Sequence, residues 1–384
     1  METVKGFSDF TGQDALKIER IERIFTELAR RYGFVPTFTP SIEKEKFVKG
    51  ENSGDEAISD IFKLKDRGNR SLALRYEFTF QLKRISRNKK LPFKRFQIGR
   101  VFRDEPTSSN RWREFTQADV DVVGSSVKSE AEVLSLAWEL FNKIGIEPRI
   151  LVNNRKLLEE TLLSIGVDEK KFEKILREID KLDKLPRKKV ADNLRKIGEE
   201  KVLSYLNEDY MKRMNFFQDI KKLSEVCRLY GFEIEFFPAL VRGLSYYRGN
   251  IVEIKSKKIK ETICGGGAYL VGKVSAFGIS FGLERIAKIM DSDEKEVDLV
   301  LISVEADKES VELARYLREK GLFVDFIADK SIGKALEYAN SKRVKKVVIV
   351  GKEEVEQKKF KAKDMKNGRE TLLKKEEIFN WLAQ

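Results

Sequence analysis

Two segments suited to β-strands, joined by a short polar loop, constrain the fold of this chain more than any other feature. They lie within residues 101–124, and the loop contains Pro106, Ser108, Ser109 and Asn110. Side chains alternate across a strand, so the second segment has two different faces. One face can enter a core, and its residues are Glu114, Thr116, Ala118, Val120 and Val122. The other face carries Arg113, Phe115, Gln117, Asp119 and Asp121. The pattern predicts a β-hairpin in a sheet whose second face binds a polar ligand.

The ends of this hairpin bring arginines together. Arg103 and Glu105 close the first segment, and Arg111 and Arg113 open the second. Guanidinium groups bind phosphate and carboxylate oxygens through paired hydrogen bonds, so the cluster favours a polyphosphate or an activated acyl group as ligand. An exposed hairpin with surface ion pairs explains the same residues equally well.

Composition excludes several kinds of chemistry. The chain has no histidine, which excludes histidine-based triads, histidine proton shuttles and His-ligated zinc. Cys227 and Cys264 predict buried thiols rather than a disulfide or a Cys-x-x-Cys site. Lys and Arg total 76 against 63 Asp and Glu, and the formal charge of +13 favours a polyanionic partner such as nucleic acid. No apolar run reaches about 18 residues and no apolar signal segment follows Met1, so we expect a cytoplasmic protein without a membrane span.

Hydrophobic periodicity and turn residues divide the rest of the chain. Residues 11–32 predict a helix with Thr11 and Asp14 as its cap, followed by an extended segment with two prolines over 34–43. Residues 71–79 predict a strand that runs into a helix, and residues 232–253 predict a return to strands. After an acidic linker at 291–296, alternating strands and helices predict a small parallel α/β domain that ends with an Asn367-Gly368 hairpin.

The hairpin resembles motif 2 of the class II aminoacyl-tRNA synthetases, which reads Phe-Arg-x-Glu, a loop, and then Arg-x-Arg-x-Phe-x-Gln. Its continuation at 117–121, Gln-Ala-Asp-Val-Asp, is similar to the histidyl-tRNA synthetases. Three further strings fit that family in order: Leu-Arg-x-Glu-x-Thr at 74–79, Leu-Val-Arg-Gly-Leu-x-Tyr-Tyr at 240–247, and a glycine-rich motif 3 at 276–286. The first helix and the proline-bearing segment after it resemble motif 1, which forms the dimer interface in the family.

The resemblance implies an α+β fold with two domains. Residues 1–292 would form the class II catalytic domain around six antiparallel strands, with a helical insertion at about 153–208. Residues 297–384 would form an anticodon-binding α/β domain. The implied enzyme is an aminoacyl-tRNA ligase of protein biosynthesis, a homodimer that activates histidine with ATP and magnesium and transfers it to tRNA(His).

The resemblance also implies roles for individual residues. Arg103 and Arg242 would be catalytic and would hold the α-phosphate and the substrate carboxylate. The ATP-binding residues would be Glu105, Arg111, Arg113, Phe115 and Arg285. The histidine-binding residues would be Glu77, Thr79, Gln117, Asp121, Tyr246, Tyr247 and Tyr269. No residue is implied as a metal ligand.

Five positions depart from the family pattern. Tyr76 stands where proline is usual, Ser245 where Asp is usual, and Asp121 where Glu is common. Ala268 and Leu270 replace an Arg and an Asp. These changes leave open an activating enzyme with an altered substrate. A regulatory paralogue that acts on ATP phosphoribosyltransferase and a non-catalytic tRNA-binding protein also stay open, although such regulatory paralogues usually lack the C-terminal domain.

Overall fold

The computed structural model describes residues 2–49, 60–242, 246–291 and 294–382. The chain forms two compact units, Met1–Ser292 and Asp293–Gln384. Ser245, one of the departures from the family pattern, lies outside the described residues. In the part of the chain that is described, no helix is long and apolar enough to cross a membrane.

A central antiparallel sheet organises the first unit. Its strands are β1 (Val35–Pro36), β5 (Phe93–Phe102), β6 (Glu114–Val123), β7 (Arg149–Asn154), β8 (Glu235–Phe236), β9 (Asn250–Ser256), β10 (Ile259–Val271) and β11 (Val274–Gly282), and a small separate sheet contains β2 (Ile42–Lys44), β3 (Lys63–Lys65) and β4 (Ser71–Leu74). The order across the central sheet is β1-β5-β6-β11-β10-β9-β7-β8. The six inner strands are antiparallel, whereas β1 and β8 add parallel edges. The predicted α+β fold with an antiparallel sheet in the first unit is therefore confirmed.

The described part of the first unit also contains α-helices. They are α1 (Gly12–Arg31), α2 (Glu45–Lys49), α3 (Thr79–Ile85), α4 (Val127–Lys143), α5 (Arg155–Ser164), α6 (Phe172–Asp180), α7 (Arg187–Arg195), α8 (Val202–Tyr205), α9 (Glu208–Met211), α10 (Phe217–Leu229) and α11 (Leu283–Lys288). Phe281 of β11 packs edge-on against Phe25 of α1, with ring centres 5.4 Å apart, and lies 5.9 Å from Phe141 of α4. Helices α5 to α10 fill the chain between β7 and β8, and the helical insertion at 153–208 stays a prediction within that stretch.

Helix α1 begins one residue after Thr11, close to its predicted start. The predicted Thr11 side-chain cap is wrong, because that side chain makes no capping hydrogen bond within the described residues. The apolar stripe is as expected: Ile18, Ile21, Phe25 and Leu28 are buried.

The predicted return to strands within 232–253 occurs at β8 and β9. The chain pairs at β8, leaves the sheet, and returns at β9, so Arg242 lies in a connecting segment. Pro238 supplies no backbone donor, which favours this exit from the sheet. Asn153 of β7 fixes the segment by donating from Nδ2 to the carbonyl oxygens of Pro238 and Leu240, each at 3.0 Å.

A buried carboxylate joins α11 to β6. Glu284 Oε1 accepts hydrogen bonds from the backbone nitrogen and the hydroxyl of Thr116, each at 2.8 Å, and from Arg100 Nη1 at 2.8 Å. Burial raises the pKa of Glu284, against the lowering effect of the Thr116 donors and Arg100. The motif 3 helix is thereby fastened to the motif 2 strand.

Replacing Glu284 with alanine is expected to lower the free energy of unfolding by about 2–3 kcal/mol, because the change leaves the buried Thr116 donors without an acceptor. The midpoint of urea unfolding measures the effect. Glu27→Ala, which breaks an exposed pair with Arg31 on α1, is the matched control and should leave the midpoint unchanged. Equal midpoints for the two variants would show that the Glu284 contacts contribute little.

The second unit is a small α/β domain. Its elements are β12 (Leu299–Val304), α12 (Asp307–Glu319), β13 (Val324–Ile327), α13 (Ile332–Ser341), β14 (Lys346–Gly351), α14 (Lys352–Glu356), β15 (Phe360–Asp364), β16 (Glu370–Leu373) and α15 (Glu377–Leu382). The sheet order is β13-β12-β14-β15-β16, in which the first three strands are parallel. Strand β15 pairs antiparallel with β14 and with β16. Leu299 and Leu301 face a core formed with α12, whereas Val300 and Ile302 face one formed with α13. This agrees with the predicted parallel-type domain and its terminal hairpin.

Candidate functional site

Arg103 stands at the end of β5, on the polar side of the hairpin. Its guanidinium carbon lies 4.5 Å from the ring centre of Tyr76 and 5.0 Å from that of Phe115. Its Nη2 donates to Gln117 Oε1 at 3.2 Å. Two aromatic rings and one amide therefore fix the direction of this cation.

Tyr76 contributes more than the sequence suggested. Besides carrying Arg103 over its ring, it donates from its hydroxyl to Glu105 Oε1 at 3.1 Å. Proline at this position could do neither. The departure from the family pattern thus adds a contact to the site.

Arg242 approaches from the segment between β8 and β9. Its Nη1 donates to Glu253 Oε1 at 2.7 Å. A Cβ at Gly265 would lie 2.7 Å from the same nitrogen, so the absence of a side chain there makes room for the guanidinium.

Glu77 and Thr79 lie at the junction of β4 and α3. Tyr246 donates from its hydroxyl to Glu77 Oε2 at 3.3 Å, and Glu77 Oε1 is buried with no hydrogen-bond partner among the described residues. Burial raises the pKa of Glu77 to about 7, although Arg103 and Tyr246 act to lower it. Tyr246 also bonds to Thr79. The junction therefore offers a buried carboxyl oxygen that is ready to accept a hydrogen bond.

Asp121 lies deeper in the same face. Its Oδ1 accepts from the Tyr269 hydroxyl at 2.6 Å, and its Oδ2 lies 2.8 Å from Arg95 Nη2. Burial raises the pKa of Asp121, against the effects of Arg95 and Tyr269. Asp119 accepts from Gln117 Nε2 at 2.9 Å and lies 4.0 Å from Arg95.

Sequence reasoning missed Arg95, whose side chain is 0% exposed. The alternation of side chains along β5 could have indicated this residue, because it places Arg95, Gln97 and Gly99 on one face. In the sheet these residues pair in register with Asp121, Asp119 and Gln117 of β6. A cation that is buried beside two buried carboxylates is stable there only when it pairs closely with them. Glu253 was missed for a different reason, since only the folded chain brings it to Arg242.

The tyrosines predicted for the site gather between these carboxyl groups. Tyr246 lies 4.7 Å from Tyr247 and 5.8 Å from Tyr269, measured between ring centres. Tyr247 and Tyr269 are buried, and burial raises the pKa of both phenols. They therefore stay neutral and can donate hydrogen bonds at ordinary pH.

The loop of the hairpin carries paired rather than free charges. Arg111 forms an ion pair with Glu105. Arg113 lies 3.2 Å from Asp104 Oδ1 and donates from Nε to the Glu105 carbonyl at 3.2 Å. The arginines of the hairpin form ion pairs, as the second interpretation predicts, and the ligand-site interpretation stays a prediction.

Arg285 of α11 faces this loop. Its Nη1 donates to the Thr262 carbonyl at 2.6 Å, and its Nε and Nη2 donate to the Asn110 carbonyl at 3.3 and 3.2 Å. Burial lowers the pKa of Arg285, Glu261 opposes this, and Arg103 and Arg111 lower it further. The charges of Arg103 and Arg111 thus act against that of Arg285.

The remaining departures have small structural consequences. Ala268 is half-buried and Leu270 is 42% exposed, and both lie in β10.

Cys227 and Cys264 are free buried thiols, as predicted. Within the described ranges there is no group of three or more Cys, Asp and Glu residues that could hold a metal ion.

Comparisons with known proteins agree with this geometry. A family profile described as histidyl-tRNA synthetase matches residues 6–286, and one described as anticodon binding domain matches residues 296–384. Histidine–tRNA ligase 1 of Bacillus cereus is 32% identical, with 100% of both chains covered. Histidine–tRNA ligase of Methanocaldococcus jannaschii is 30% identical, with 98% of both covered. The crystal structure of histidyl-tRNA synthetase from Nostoc sp. PCC 7120 superposes with a TM-score of 0.87 at 23% identity, covering 100% of this chain and 98% of that one.

Proposed function

The chain belongs to the histidyl-tRNA synthetase family, and from that premise we propose that it joins histidine to AMP with ATP and then transfers the histidyl group to tRNA(His). The proposal rests on two carboxyl groups and two arginines that converge on one face of the sheet. Glu77 would accept a hydrogen bond from an ammonium group, and Asp121 would accept one from an imidazole. The two arginines are Arg103 and Arg242. The family profile over residues 296–384 favours this activity over that of a regulatory paralogue.

Arg103 and Arg242 would stabilise the reacting phosphate. When the histidine carboxylate attacks the α-phosphate, negative charge grows on the phosphate oxygens, and cations already in place lower the barrier. Arg103 is held by Tyr76 and Phe115, and Arg242 by Glu253. Such fixed cations need little rearrangement when the charge appears.

Five residues would hold ATP. Phe115 would stack on adenine and Glu105 would accept a hydrogen bond from it, while Arg285 would flank the base. Arg111 and Arg113 would bind the outer phosphates after exchanging their present carboxylate partners for phosphate oxygens. Magnesium would enter with ATP as part of the substrate, because its preferred oxygen ligands are then supplied mainly by the phosphates.

The histidine substrate would lie between Glu77 and Asp121. Glu77, Thr79 and Gln117 would hold the α-ammonium group, and Glu77 Oε1 is a buried acceptor that awaits such a donor. Asp121, with Tyr246, Tyr247 and Tyr269 around it, would hold the imidazole. Leaving either imidazole nitrogen unpaired in a buried site is costly, so a pocket with a charged acceptor and phenol donors selects for histidine.

The pKa of Glu77 predicts a pH dependence. Above about 7 its carboxyl group is charged and can pair with the ammonium group, and below that value it is neutral. We therefore expect kcat/KM for histidine to fall as the pH is lowered from 8 to 6. Arg103, Tyr246, Lys83 and Asp121 act on the same carboxyl group, and the histidine substrate titrates in this range too.

Glu77→Gln separates these contributions. The variant should have a lower kcat/KM at pH 8 and a shallower pH profile, which retains only the titration of the substrate and of the other groups. Superimposable profiles for the two proteins, after scaling, would remove Glu77 as the titrating group.

Three further parts of the proposal concern the whole protein. A homodimer is supported by the exposed apolar residues Val35, Phe38 and Ile42 around the edge strand β1, where the family forms its interface; sedimentation velocity would test it. Binding of tRNA is supported by the anticodon-domain match and by the charge of +13. A cytoplasmic location would suit both substrates.

The deciding experiment is histidine-dependent exchange of pyrophosphate into ATP, run beside the other nineteen amino acids and followed by charging of tRNA. Exchange with histidine alone is the expected result. Exchange with another amino acid would indicate an altered substrate, and no exchange with any would overturn the activation step.

A further inference from the structure

We infer that Glu253 is a positioning residue for the proposed activation step, because it holds Arg242 directly and supports Arg285 through Thr262. This inference rests on the proposed function and adds a residue to it. Glu253 belongs to β9 and is buried. Its contacts connect it to both arginines.

The first oxygen of Glu253 fixes Arg242. Oε1 accepts from Arg242 Nη1 at 2.7 Å, whereas Arg242 Nε is buried and has no partner among the described residues. Arg242 stands in a connecting segment, so the strand hydrogen bonds that align neighbouring side chains do not hold it. A long side chain of this kind keeps one direction only when a partner restrains it.

The register of the sheet explains why Glu253 can reach this arginine. Glu253 pairs with Gly265 across β9 and β10. The guanidinium of Arg242 lies over Gly265, where any side chain would collide with Nη1. Glu253 and Gly265 together therefore form the cradle of Arg242.

The second oxygen of Glu253 leads to the other arginine. Oε2 accepts from the Thr262 hydroxyl at 2.7 Å, and the carbonyl of the same threonine accepts from Arg285 Nη1 at 2.6 Å. Lys255 Nζ lies 3.8 Å from Oε2 and 2.7 Å from Asp183 Oδ2. One carboxylate thus connects the supports of two arginines that come from separate elements of the unit.

Electrostatics favour a charged Arg242 in this cradle. Burial acts to lower the pKa of Arg242, but Tyr247 and Glu253 raise it by more, so the overall shift is upward. The side chain remains a cation where the α-phosphate would bind. Loss of Glu253 would release the guanidinium from its fixed direction and leave its charge less compensated.

Three variants test the inference in the full-length protein, with exchange rates expressed per active site titrated by adenylate formation. Glu253→Ala should lower kcat about 100-fold, the size of effect seen when one fixed donor to a developing charge is lost, and change KM for histidine less than about threefold. Glu253→Gln keeps an oxygen acceptor for Arg242, so its kcat should be about tenfold higher than that of Glu253→Ala. Thr262→Val removes only the hydroxyl bond and should raise KM for ATP several-fold.

Glu235→Ala is the matched control, since Glu235 also pairs with an arginine at the central sheet but is exposed. Its kcat should equal that of the unmodified chain. In the double variant with Arg242→Ala, Glu253→Ala should add little further loss of kcat, because its effect on kcat acts through that arginine, whereas its effect on KM for ATP through Thr262 should persist.

Normal kcat per titrated site in Glu253→Ala would overturn the inference and leave the proposed function standing. Full additivity with Arg242→Ala would also overturn it. If the unmodified chain shows no histidine-dependent exchange, the proposed function itself fails, and the role of Glu253 in activation fails with it.

Discussion

Replacing Arg103 with alanine is expected to lower kcat for histidine-dependent pyrophosphate exchange about a thousandfold, the upper range for one fixed donor at a developing oxyanion. The reason lies in how firmly the cation is held. Its guanidinium contacts Tyr76 and Phe115 and donates to Gln117, so the charge is directed before substrate binds. Initial rates at saturating ATP and histidine measure the effect.

Two comparisons make this expectation specific. Arg103→Lys keeps a positive charge but loses the planar fork, so its rate should lie between those of the parent and of Arg103→Ala. Arg149→Ala breaks an exposed pair with Glu235 at the far side of the same sheet and should leave kcat unchanged. A rate for Arg103→Ala within tenfold of the parent would show that another group bears the developing charge.

The alternation of side chains along β6 could be read from the sequence because a strand repeats every two residues. Gln117, Asp119 and Asp121 do share one face, and Asp121 lies in the pocket region with Tyr269. The same rule, applied to β5, would have found Arg95. What the rule could not supply is the register between the two strands, which depends on the whole sheet.

Contacts between distant segments of the chain could not be predicted from the sequence. Glu253 and Arg242 are eleven positions apart but meet only because the chain leaves the sheet at Pro238 and returns at β9. Glu284 and Thr116 are separated by most of the catalytic unit and still share a buried hydrogen bond. Single-sequence patterns fix local periodicity, whereas these pairs are set by tertiary packing.

Local rules also failed where the backbone had other partners. The Thr11 side chain does not cap α1, although its type and position suit a cap. Over residues 232–253 the return to strands occurs at β8 and β9, but local patterns did not show that Asn153 holds the carbonyls of Pro238 and Leu240 outside the sheet between them. The second case shows tertiary contacts overriding propensity.

The buried pair of Arg95 and Asp121 makes any change at Asp121 a change in stability as well. Arg95 is wholly buried, and its Nε and Nη1 have no hydrogen-bond partner among the described residues. Asp121 lies 2.8 Å from its Nη2, whereas Asp119 is 4.0 Å away. Removing the Asp121 carboxylate therefore leaves a poorly compensated buried cation, a change that typically costs about 3–5 kcal/mol. A test of recognition has to be separated from this loss of stability.

Asp121→Asn keeps the shape of the side chain but also removes the charge that pairs with Arg95, so its urea midpoint is measured beside its kinetics and the rates are expressed per folded protein. We expect KM for histidine to rise about a hundredfold, since the imidazole loses a charged acceptor, and kcat to change much less. Asp121→Ala should abolish histidine-dependent exchange and also lower the urea midpoint. Gly278→Ala should also raise KM, because its Cβ would overlap Asp121 Oδ1 and displace the carboxyl group while leaving its charge in place. Glu235→Ala again serves as the control. If Asp121→Asn keeps the parent's KM while Gly278→Ala raises it, the shape of the pocket selects histidine and the charge of Asp121 serves mainly to balance Arg95.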